Sequence, residues 1–554
     1  MQAGASEDIQ TQVQRWLSEY SGAGIAVAEL LCDRHARMPE RIALFYEDAS
    51  GQEARITFAE LRERSARFAG ALQRLGVAKG DRVATLLPKS PELLIATLGL
   101  WRLGAVHVPL FTAFGPQAIA YRVVNSGTRV IITDTANRPK LTGADLSQAS
   151  VSHVITIEGP DGEAGQPGDV PFWTTLRTSD PVEAPAVVTG DDLLILLYTS
   201  GTTGHPKGVE VPVRALASFA AYMHFGLDLR EEDMFWNIAD PGWAYGLYYG
   251  LVGPLLLGKA TLFFNAPFNT EATCRILAKY QVTNFAAAPT VYRALRAAGV
   301  PAEVREQLRL RVASSAGEPL NPDVIAWAVE HLGVPIYDQY GQTELGMVVN
   351  NHHLPALERP LRPGSMGQPM PGFRMVIVDE AGNELGPRQE GQVAVDVPHS
   401  PLYWFRGYYQ APEWTAQRFS GGGRYYLTGD AASYDADGYF YFSSRADDVI
   451  TSAGYRIGPF EVESALMQHQ AVAEAAAVGK PDALRGEVVK AYVVLKPGYT
   501  PSAELADELS QFVKANLAAH AYPREIAFID QLPKTPSGKV QRFLLRERER
   551  AVSS

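Results

Sequence analysis

Cysteine and long hydrophobic runs are scarce in this sequence, and each scarcity excludes a class of protein. The chain of 554 residues has two cysteines, Cys32 and Cys274, which argues against a secreted fold built on disulfides and favours a reducing cytoplasm. The longest apolar stretch, GLYYGLVGPLLLG, contains glycine and proline and is shorter than the roughly 20 apolar residues that span a bilayer. The N-terminus is polar and acidic, so we expect no signal peptide, no membrane insertion and a cytoplasmic location.

Basic residues are also in the minority. The chain has 50 lysine and arginine residues against 61 aspartate and glutamate residues, a formal net charge of -11. Without a basic stripe, the sequence argues against a nucleic-acid partner. The run from Arg546 to Arg550 mixes arginine with glutamate, and we interpret it as a solvated helix end. The length requires at least two domains, and the composition is that of an ordinary globular protein.

Short strand-like runs alternate with helical patterns up to about Pro360. The predicted strands include RVATLLP from Arg82, TRVIITD from Thr128, SHVITIE from Ser152 and LLILLYTS from Leu193. Helical stretches such as PELLIATLGLWRLGA and TEATCRILAKY lie between predicted strands. This alternation predicts parallel sheets with crossover helices, and a run such as LLILL suits a strand buried on both faces. We therefore predict an α/β fold with two doubly wound subdomains.

The composition changes after Pro360, where glycine, proline and aspartate become frequent. GFRMVIVDEAG, GQVAVDVP and GYFYFSSR predict a β-rich subdomain. Beyond Arg445, PFEVESALMQH, VVKAYVVLKPG, LADELSQFVKANL and REIAFID predict helix, strand, helix and strand in turn. They predict a small, mobile α+β domain. We expect a large N-terminal domain of residues 1–446 and a C-terminal domain of residues 447–554.

A glycine-rich loop follows the predicted strand that begins at Leu193. The string YTSGTTGHPKGV, from Tyr198 to Val209, combines small residues that expose backbone N–H groups with hydroxyl donors and the cation of Lys207. Such a turn forms an anion nest and suits a triphosphate. It differs from the Walker A pattern because His205 and Pro206 separate the second glycine from the lysine.

The string resembles the phosphate-binding loop of the adenylate-forming superfamily, which includes acyl-CoA synthetases, carrier-loading adenylation domains and luciferases. Further motifs follow in the family's order: SAGEPLNP from Ser315, YDQYGQTELG from Tyr337, YYLTGDAASYDADGYFYFSSRADDVITSAGYRIGP from Tyr425, and PKTPSGKVQR from Pro533. The resemblance is strongest to medium-chain acyl-CoA synthetases, with acetyl-CoA synthetases next. It implies an AMP-binding N-terminal domain and a C-terminal lid that carries a catalytic lysine.

The resemblance implies a role for each matching residue. The implied ATP- and AMP-binding residues are Thr199, Ser200, Gly201, Thr202, Thr203, Gly204, Lys207, Gly317, Glu318, Pro319, Asp338, Gln339, Tyr340, Gly341, Asp430, Arg445 and Arg456. The implied catalytic residues are Thr343 at the α-phosphate, Glu344 as a Mg²⁺ ligand, and Lys539. Asp447 is the implied hinge and Gly454 the implied CoA-binding residue.

Two of these positions have simpler explanations on local sequence. A carboxylate such as Asp430 can accept hydrogen bonds from both hydroxyls of a ribose. The same aspartate also suits an Asx turn, and if buried it needs a ligand or a structural donor. Lys539 would be an ordinary solvated loop lysine outside the family context.

The acyl pocket is implied by NIADPGWAYGLYYG, from Asn237. By resemblance Trp243, Ala244 and Tyr245 line it, together with Gly341. Acetyl-CoA synthetases carry a tryptophan at the position of Gly341, so its absence implies a channel for longer acids, each buried methylene contributing roughly 0.8 kcal/mol. Tyr245 or Tyr248 could refill part of the space, although core packing explains Tyr248 equally well.

The resemblance thus implies an ATP-dependent acid:CoA ligase, with Mg²⁺ as cofactor and ATP and CoA as co-substrates. It would form an acyl-adenylate and then an acyl-CoA from a short- to medium-chain, branched or aromatic acid. The alternatives are an acetyl- or propionyl-CoA synthetase, an adenylation enzyme that loads a separate carrier protein, a non-catalytic nucleotide sensor and a luciferase-like oxidase. The acid and the oligomeric state stay open.

Overall fold

A sheet of mostly parallel strands organises the N-terminal part of the chain. The computed structural model describes residues 2–159, 165–199, 206–445, 448, 450–452, 455–482, 485–516, 521–534 and 540–553. In spatial order the strands of this sheet are Lys207–Pro212, Leu193–Thr199, Val106–Pro109, Arg82–Leu86, Val130–Asp134, His153–Ile157 and Val170–Pro171. All neighbours are parallel except the first pair, an antiparallel hairpin. The two described flanks of the glycine-rich string, at residues 198–199 and 207–209, are therefore paired in this hairpin.

A second, mixed sheet follows. Its strands are, in spatial order, Phe235–Asn237, Asn284–Ala287, Val312–Ala316, Ile336–Gln342, Gly346–Asn350 and Gln368–Pro369. The first strands are parallel, and the pairing turns antiparallel at the hairpin between Ile336–Gln342 and Gly346–Asn350. This hairpin carries the YDQYGQTELG motif, so the motif lies where the sheet changes direction.

Smaller sheets complete the N-terminal part. Thr261–Asn265, Ile42–Asp48 and Glu53–Thr57 form one, and Ala23–Ile25 pairs with Val188–Thr189. The β-rich subdomain is an antiparallel sheet of Met375–Val378, Gly391–Asp396, Tyr425–Tyr434, Phe419–Ser420 and Phe440–Arg445. The predicted subdomains, two α/β and one β-rich, are confirmed.

The C-terminal part has its own sheet and hydrophobic core. Its strands are Tyr455–Ile457, Ile450–Ser452, Gly486–Leu495, Val472–Asp482 and Glu525–Phe528. The core residues include Val462, Leu466 and Val493, all of which are buried. The predicted α+β character of this part is confirmed.

Helices cover the sheets and connect their strands. They are Gln2–Tyr20, Phe58–Arg74, Pro91–Arg102, Pro116–Ser126, Arg138–Thr142, Phe172–Arg177, Ala215–Ala221, Ala244–Gly246, Gly253–Leu256, Thr270–Lys279, Pro289–Ala298, Ala302–Arg305, Pro322–Leu332, Pro412–Ala416, Pro459–Met467, Ala503–Asn516 and Arg542–Ser553. Wider π-helical turns occur at Glu29–Asp33, Tyr222–Gly226 and Leu247–Val252, and 3₁₀ turns at Val397–His399 and Gly421–Gly423. Within the described ranges, none of the helices has the length and apolarity to cross a bilayer.

The last helix corrects one expectation from the sequence. Arg542–Ser553 is not a merely solvated end, because Glu549 is 3% exposed and accepts a hydrogen bond from Lys490 Nζ at 2.9 Å. Arg546 pairs with Asp448. An alternation of arginine and glutamate does not reveal such partners, since they lie far away in sequence.

Candidate active site

Lys207 and Glu344 meet around two aromatic side chains. Lys207 lies near the end of the glycine-rich string, and its Nζ lies 3.5 Å from the centre of the Trp414 indole and 5.3 Å from the centre of the Tyr408 ring. The Tyr408 hydroxyl donates a hydrogen bond of 2.7 Å to Glu344 Oε1. The predicted phosphate-binding cation and the predicted metal-binding carboxylate therefore share one neighbour, although 137 positions separate them in the chain.

Arg418 completes this cluster. Its Nε donates to the Tyr408 hydroxyl at 3.0 Å, and its Nη1 donates to the backbone oxygen of Thr428 at 3.1 Å. Burial raises the pKa of Tyr408, as does the neighbouring Glu344 carboxylate, so the phenol stays neutral. The sequence did not predict that Tyr408, Trp414 and Arg418 belong to the site. An antiparallel bridge between Val209 and Tyr408, together with a hydrogen bond of 2.7 Å from the Tyr409 N–H to the Gly208 backbone oxygen, brings this segment beside the strand that carries Lys207.

Asp338 is a buried carboxylate with an open acceptor. It is 7% exposed, and its Oδ2 accepts a hydrogen bond from the Leu320 N–H at 3.3 Å. Its Oδ1 is buried and has no partner among the described residues. Burial raises the pKa of Asp338 to about 8. An unpartnered buried oxygen beside the Gly317–Pro319 turn is a ready acceptor for a ligand amine.

An ion pair between Glu318 and Arg293 stabilises the turn of residues 317–319. Glu318 accepts hydrogen bonds from Thr290 Oγ1 at 2.8 Å and from Arg293 Nη2 at 2.6 Å. Gly317 has a φ of +104°, and a Cβ there would meet open space. The turn can therefore present its backbone to a flat ligand without a side chain in between.

Asp430 is satisfied by protein donors in this structure. It is 7% exposed, and its Oδ2 accepts hydrogen bonds of 2.6 Å from both the Tyr340 hydroxyl and Gln342 Nε2. Asp430 also lies directly opposite Arg445 in the paired strands. The structural-donor explanation thus accounts for its burial, and its implied ribose contact stays a prediction.

Thr343 lies in the tight turn between the two strands of the motif hairpin. Its backbone oxygen accepts a hydrogen bond of 3.1 Å from the Tyr248 hydroxyl. The N–H of Met347, at the other end of the turn, donates to the Tyr249 hydroxyl at 2.9 Å. Tyr248 is fully buried and stacks on Phe219. It is therefore a core residue that holds the turn, and it does not refill an acyl pocket.

The segment at residues 243–245 is half-buried and faces a cluster of aromatic rings. The Trp243 ring packs against Phe111 and Phe114, with centroid distances of 5.3 and 5.8 Å. The Tyr245 hydroxyl lies 2.9 Å from the hydroxyl of the fully buried Tyr222. Asn237 Nδ2 fixes the segment by donating to the Tyr245 backbone oxygen at 3.1 Å.

Gly341 does not provide the vacant space expected from its sequence. A Cβ added there would lie 2.2 Å from the backbone oxygen of Gly346 and 2.7 Å from Cα and Sδ of Met347. The expectation that a missing indole opens a channel at this position is therefore wrong, because the neighbouring strand fills that space. A Gly341→Trp substitution would displace the neighbouring backbone, so a changed preference for acid chain length could not be attributed to the volume of the indole alone.

Several predicted site residues fall outside this description. Ser200, Gly201, Thr202, Thr203, Gly204, Asp447, Gly454 and Lys539 lie outside the described residues, as do the side chains of Arg445 and Arg456. The flanks of the loop are described. The Tyr121 hydroxyl donates to the Pro206 backbone oxygen at 3.1 Å, and Thr199 Oγ1 donates to the Lys207 backbone oxygen at 3.4 Å.

The donor set suits a cation that is held mainly by substrate. Within the described residues, no group of three or more His, Cys, Asp and Glu side chains is placed to hold a metal ion. Glu344 offers one carboxylate oxygen that makes no hydrogen bond to a described residue, its other oxygen being held by Tyr408. Mg²⁺ is commonly bound by one or two carboxylates together with phosphates and water. Glu344 therefore fits Mg²⁺ as a partner of a bound triphosphate.

Fold and site together define a nucleotide-binding α/β enzyme with a separate small C-terminal core. The family model described as AMP-binding enzyme matches residues 32–409, and that described as AMP-binding enzyme C-terminal domain matches residues 461–539. The chain belongs to the AMP-binding enzyme family.

Individual relatives agree with this membership. The chain is 39% identical to an acetyl-coenzyme A synthetase of Bacillus subtilis (strain 168) over 526 residues, which covers 93% of this chain and 89% of the relative. Among solved structures, an acyl-CoA synthetase of Brucella canis is 48% identical, with a TM-score of 0.76 and 99% of each chain covered. A benzoate CoA ligase of Burkholderia xenovorans LB400 is 31% identical, with a TM-score of 0.82, 94% of this chain and 100% of that chain covered. The predicted family, fold and enzyme class, an AMP-forming acyl-CoA ligase, are confirmed.

Proposed function

We propose that this chain activates a short- to medium-chain, branched or aromatic carboxylic acid as its acyl-adenylate and transfers the acyl group to CoA. The observation that carries this proposal is the meeting of Lys207 and Glu344 around Tyr408. A cation from the glycine-rich hairpin and a carboxylate from the second sheet converge there. Such a pair suits a metal-bound polyphosphate, because one group binds the phosphates and the other binds the cation.

The adenosine half of ATP would lie on the second sheet. Asp338 Oδ1 would accept a hydrogen bond from the exocyclic amine of the adenine, against the backbone of the turn at residues 317–319. Asp430 would exchange its Tyr340 and Gln342 donors for the ribose hydroxyls, with Arg445 beside it. Thr343 would donate its hydroxyl to the α-phosphate, since it lies between Glu344 and the Asp430 partner Gln342.

In the first half-reaction, the carboxylate of the acid attacks the α-phosphorus, and the bond to the bridging oxygen of pyrophosphate breaks. Both reactants are anions, so the site must offset charge rather than move a proton. Lys207 and the loop N–H groups would bind the β- and γ-phosphates, and Arg456 and Lys539 would approach from the C-terminal part. Bound Mg²⁺, held by Glu344 and the phosphates, would supply Lewis-acid charge neutralisation.

In the second half-reaction, the thiol of CoA attacks the acyl carbon and AMP leaves. The Lys539 side chain would have to withdraw to open the thiol path. We propose that the part of the chain from residue 447 onward turns about Asp447 and brings Gly454 to the CoA channel, which places the domain boundary between residues 446 and 447. Hinges of this kind use a few residues at element ends.

Two alternatives remain for the acid and the acceptor. The acetyl-coenzyme A synthetase among the relatives supports acetate or propionate as the acid. A separate carrier protein could replace CoA as acceptor. We also propose a cytoplasmic location, where ATP and CoA are available.

A screen of acids tests the proposal. Pyrophosphate release would be measured with ATP and Mg²⁺ over straight-chain acids from two to twelve carbons plus benzoate, and each acid that responds would be repeated with CoA. We expect acid-dependent pyrophosphate release and, with CoA, stoichiometric thioester. Pyrophosphate release with thioester formed only on a carrier protein would favour the carrier alternative, and no release with any acid would contradict the proposed function.

A further inference from the structure

The segment at residues 243–245, here called the acyl segment, ends at Tyr245 in a buried chain of hydrogen bonds. The Tyr222 hydroxyl contacts Gln339 Oε1 and also lies 2.9 Å from the Tyr245 hydroxyl. Gln339 is 2% exposed, and its Nε2 faces the backbone oxygens of Gly226 at 3.1 Å and Asn351 at 3.4 Å. Because the amide nitrogen faces two acceptors, the amide oxygen is the atom that faces Tyr222.

This arrangement fixes the direction of every proton in the chain. Gln339 Oε1 can only accept, so the single hydroxyl proton of Tyr222 is donated to it. The Tyr222 oxygen can then only accept from Tyr245, which donates its own proton in turn. Burial raises the pKa of both tyrosines, so neither loses its proton near neutral pH. The remaining lone pair of the Tyr245 oxygen is left as a pure acceptor.

This acceptor lies at the edge of a buried cluster of tyrosines. Tyr245 is half-buried, whereas Tyr222 and Tyr249 behind it are 0% and 1% exposed. Their rings pack closely, with a centroid distance of 4.4 Å between Tyr222 and Tyr249. Tyr222 begins a π-helical turn and Tyr249 lies in another. Such turns are rare and frequently mark functional sites.

We propose that Tyr245, Tyr222 and Gln339 form the end wall of the acyl pocket and select a compact acid that carries a hydrogen-bond donor at its far end. This rests on the proposed function, since it assumes that the acid lies along Tyr245. An acid that carries an amino or hydroxyl group would donate to the Tyr245 oxygen. An acid with a methyl group there would displace water from this oxygen without replacing the hydrogen bond, which is how polar sites discriminate.

The experiment compares matched acids that differ only in the distal group. The pairs are the three aminobenzoates against the three methylbenzoates, and 4-hydroxybutyrate against pentanoate. For full-length protein, kcat/KM would be measured by pyrophosphate release. We expect at least one pair to favour the donor-bearing acid by about tenfold or more, which is the scale of one lost hydrogen bond to a polar site.

Variants then assign the preference to the hydrogen-bond chain. Tyr245→Phe should reduce the preference to within about twofold, chiefly by lowering kcat/KM for the donor-bearing acid. Tyr222→Phe should weaken the preference for the donor-bearing acid, because the Tyr245 hydroxyl then lacks its acceptor and can donate its proton to the acid. Tyr439→Phe is the matched control. It removes a hydroxyl of a buried tyrosine that donates to the Pro360 backbone oxygen at 2.7 Å and takes no part in the Tyr245–Tyr222–Gln339 chain, so it should leave the preference unchanged.

Failure of this inference differs from failure of the proposed function. If both acids of every pair react equally well, or if Tyr245→Phe keeps the preference, the acceptor wall is wrong although the enzyme is a ligase. Exclusive use of straight-chain acids of eight to twelve carbons would also overturn it, since the wall would not close the pocket. Absence of pyrophosphate release with every acid would instead remove the proposed function.

Discussion

At the scale of single residues, the proposed binding role of Asp338 comes with a cost in stability. Its carboxyl group is buried, one of its oxygens has no partner among the residues that the structure describes, and burial raises its pKa to about 8. In the unfolded chain an aspartate titrates near pH 3.9. Between these two pH values the folded state holds a proton that the unfolded state has lost. The free energy of unfolding therefore falls as the pH rises through this window and levels off above about pH 8.

Replacement of Asp338 by asparagine should remove this pH dependence. We expect Asp338→Asn to gain stability relative to the unaltered protein between pH 5 and pH 9, by about 1–3 kcal/mol, the usual cost of a poorly satisfied buried polar group. The melting temperatures of both proteins would be measured without nucleotide at pH 5, 7 and 9. We expect the difference between the two melting temperatures to widen as the pH rises. A constant difference across this range would mean that Asp338 is already ionised in the folded protein.

The sequence predicts such residues unevenly. The string YDQYGQTELG and its resemblance identify Asp338 and Glu344 as candidates, because a motif carries residue types in order. The sequence does not reveal Tyr408, Trp414 or Arg418. Their part in the site arises from the pairing of Val209 with Tyr408, a contact between distant segments. The prediction of vacant space at Gly341 was also wrong, because the absence of a side chain does not show whether a neighbouring strand occupies that space.

At the scale of elements, a π-helical turn supports the turn of the motif hairpin. Tyr248 and Tyr249, within Leu247–Val252, contact the backbone at Thr343 and Met347. The wider turn places consecutive aromatic side chains against one hairpin. The sequence predicts the regular strands and helices well, because alternating burial follows their periodicity. It does not predict the π-helical turns, whose apolar run GLYYGLV has no distinct period.

Loss of one of these contacts should affect the first half-reaction. Tyr248→Phe keeps the ring stacked on Phe219 and removes only the donor to the Thr343 backbone oxygen, at a cost of about 0.5–1.5 kcal/mol. We expect a threefold to tenfold lower rate of acid-dependent pyrophosphate exchange, on the order of that energy. The KM for CoA should not change. An exchange rate equal to that of Tyr439→Phe would show that the turn does not depend on this hydroxyl.

At the scale of the whole molecule, the C-terminal part contacts the N-terminal part near the turn of residues 317–319. Asn321 Nδ2 donates to Ser464 Oγ at 3.2 Å. Arg542 binds Glu463 at 2.6 Å, and Glu318 contributes to raising its pKa. The sequence predicts both units from their separate patterns of strands and helices. It does not predict how they meet, because contacts such as that between Asn321 and Ser464 follow no local periodicity.

The two half-reactions should separate in a lysine variant. We expect Lys539→Ala to lower adenylate formation by at least about a hundredfold, since it removes a cation that offsets charge on the phosphates. Thioester formation from a supplied acyl-adenylate and CoA should stay within about threefold, because no phosphate is transferred in that step. Equal losses in both assays would contradict a role confined to adenylation.

The filled space beside Gly341 also limits how the acid preference can change by mutation. A Cβ at position 341 would already lie 2.2 Å from the backbone oxygen of Gly346. A larger residue there therefore requires the hairpin to shift before its side chain can be accommodated. In the proposed pocket, the shortest mutational route to a new acid therefore runs through Tyr245 and Tyr222, where loss of one hydroxyl leaves the backbone in place.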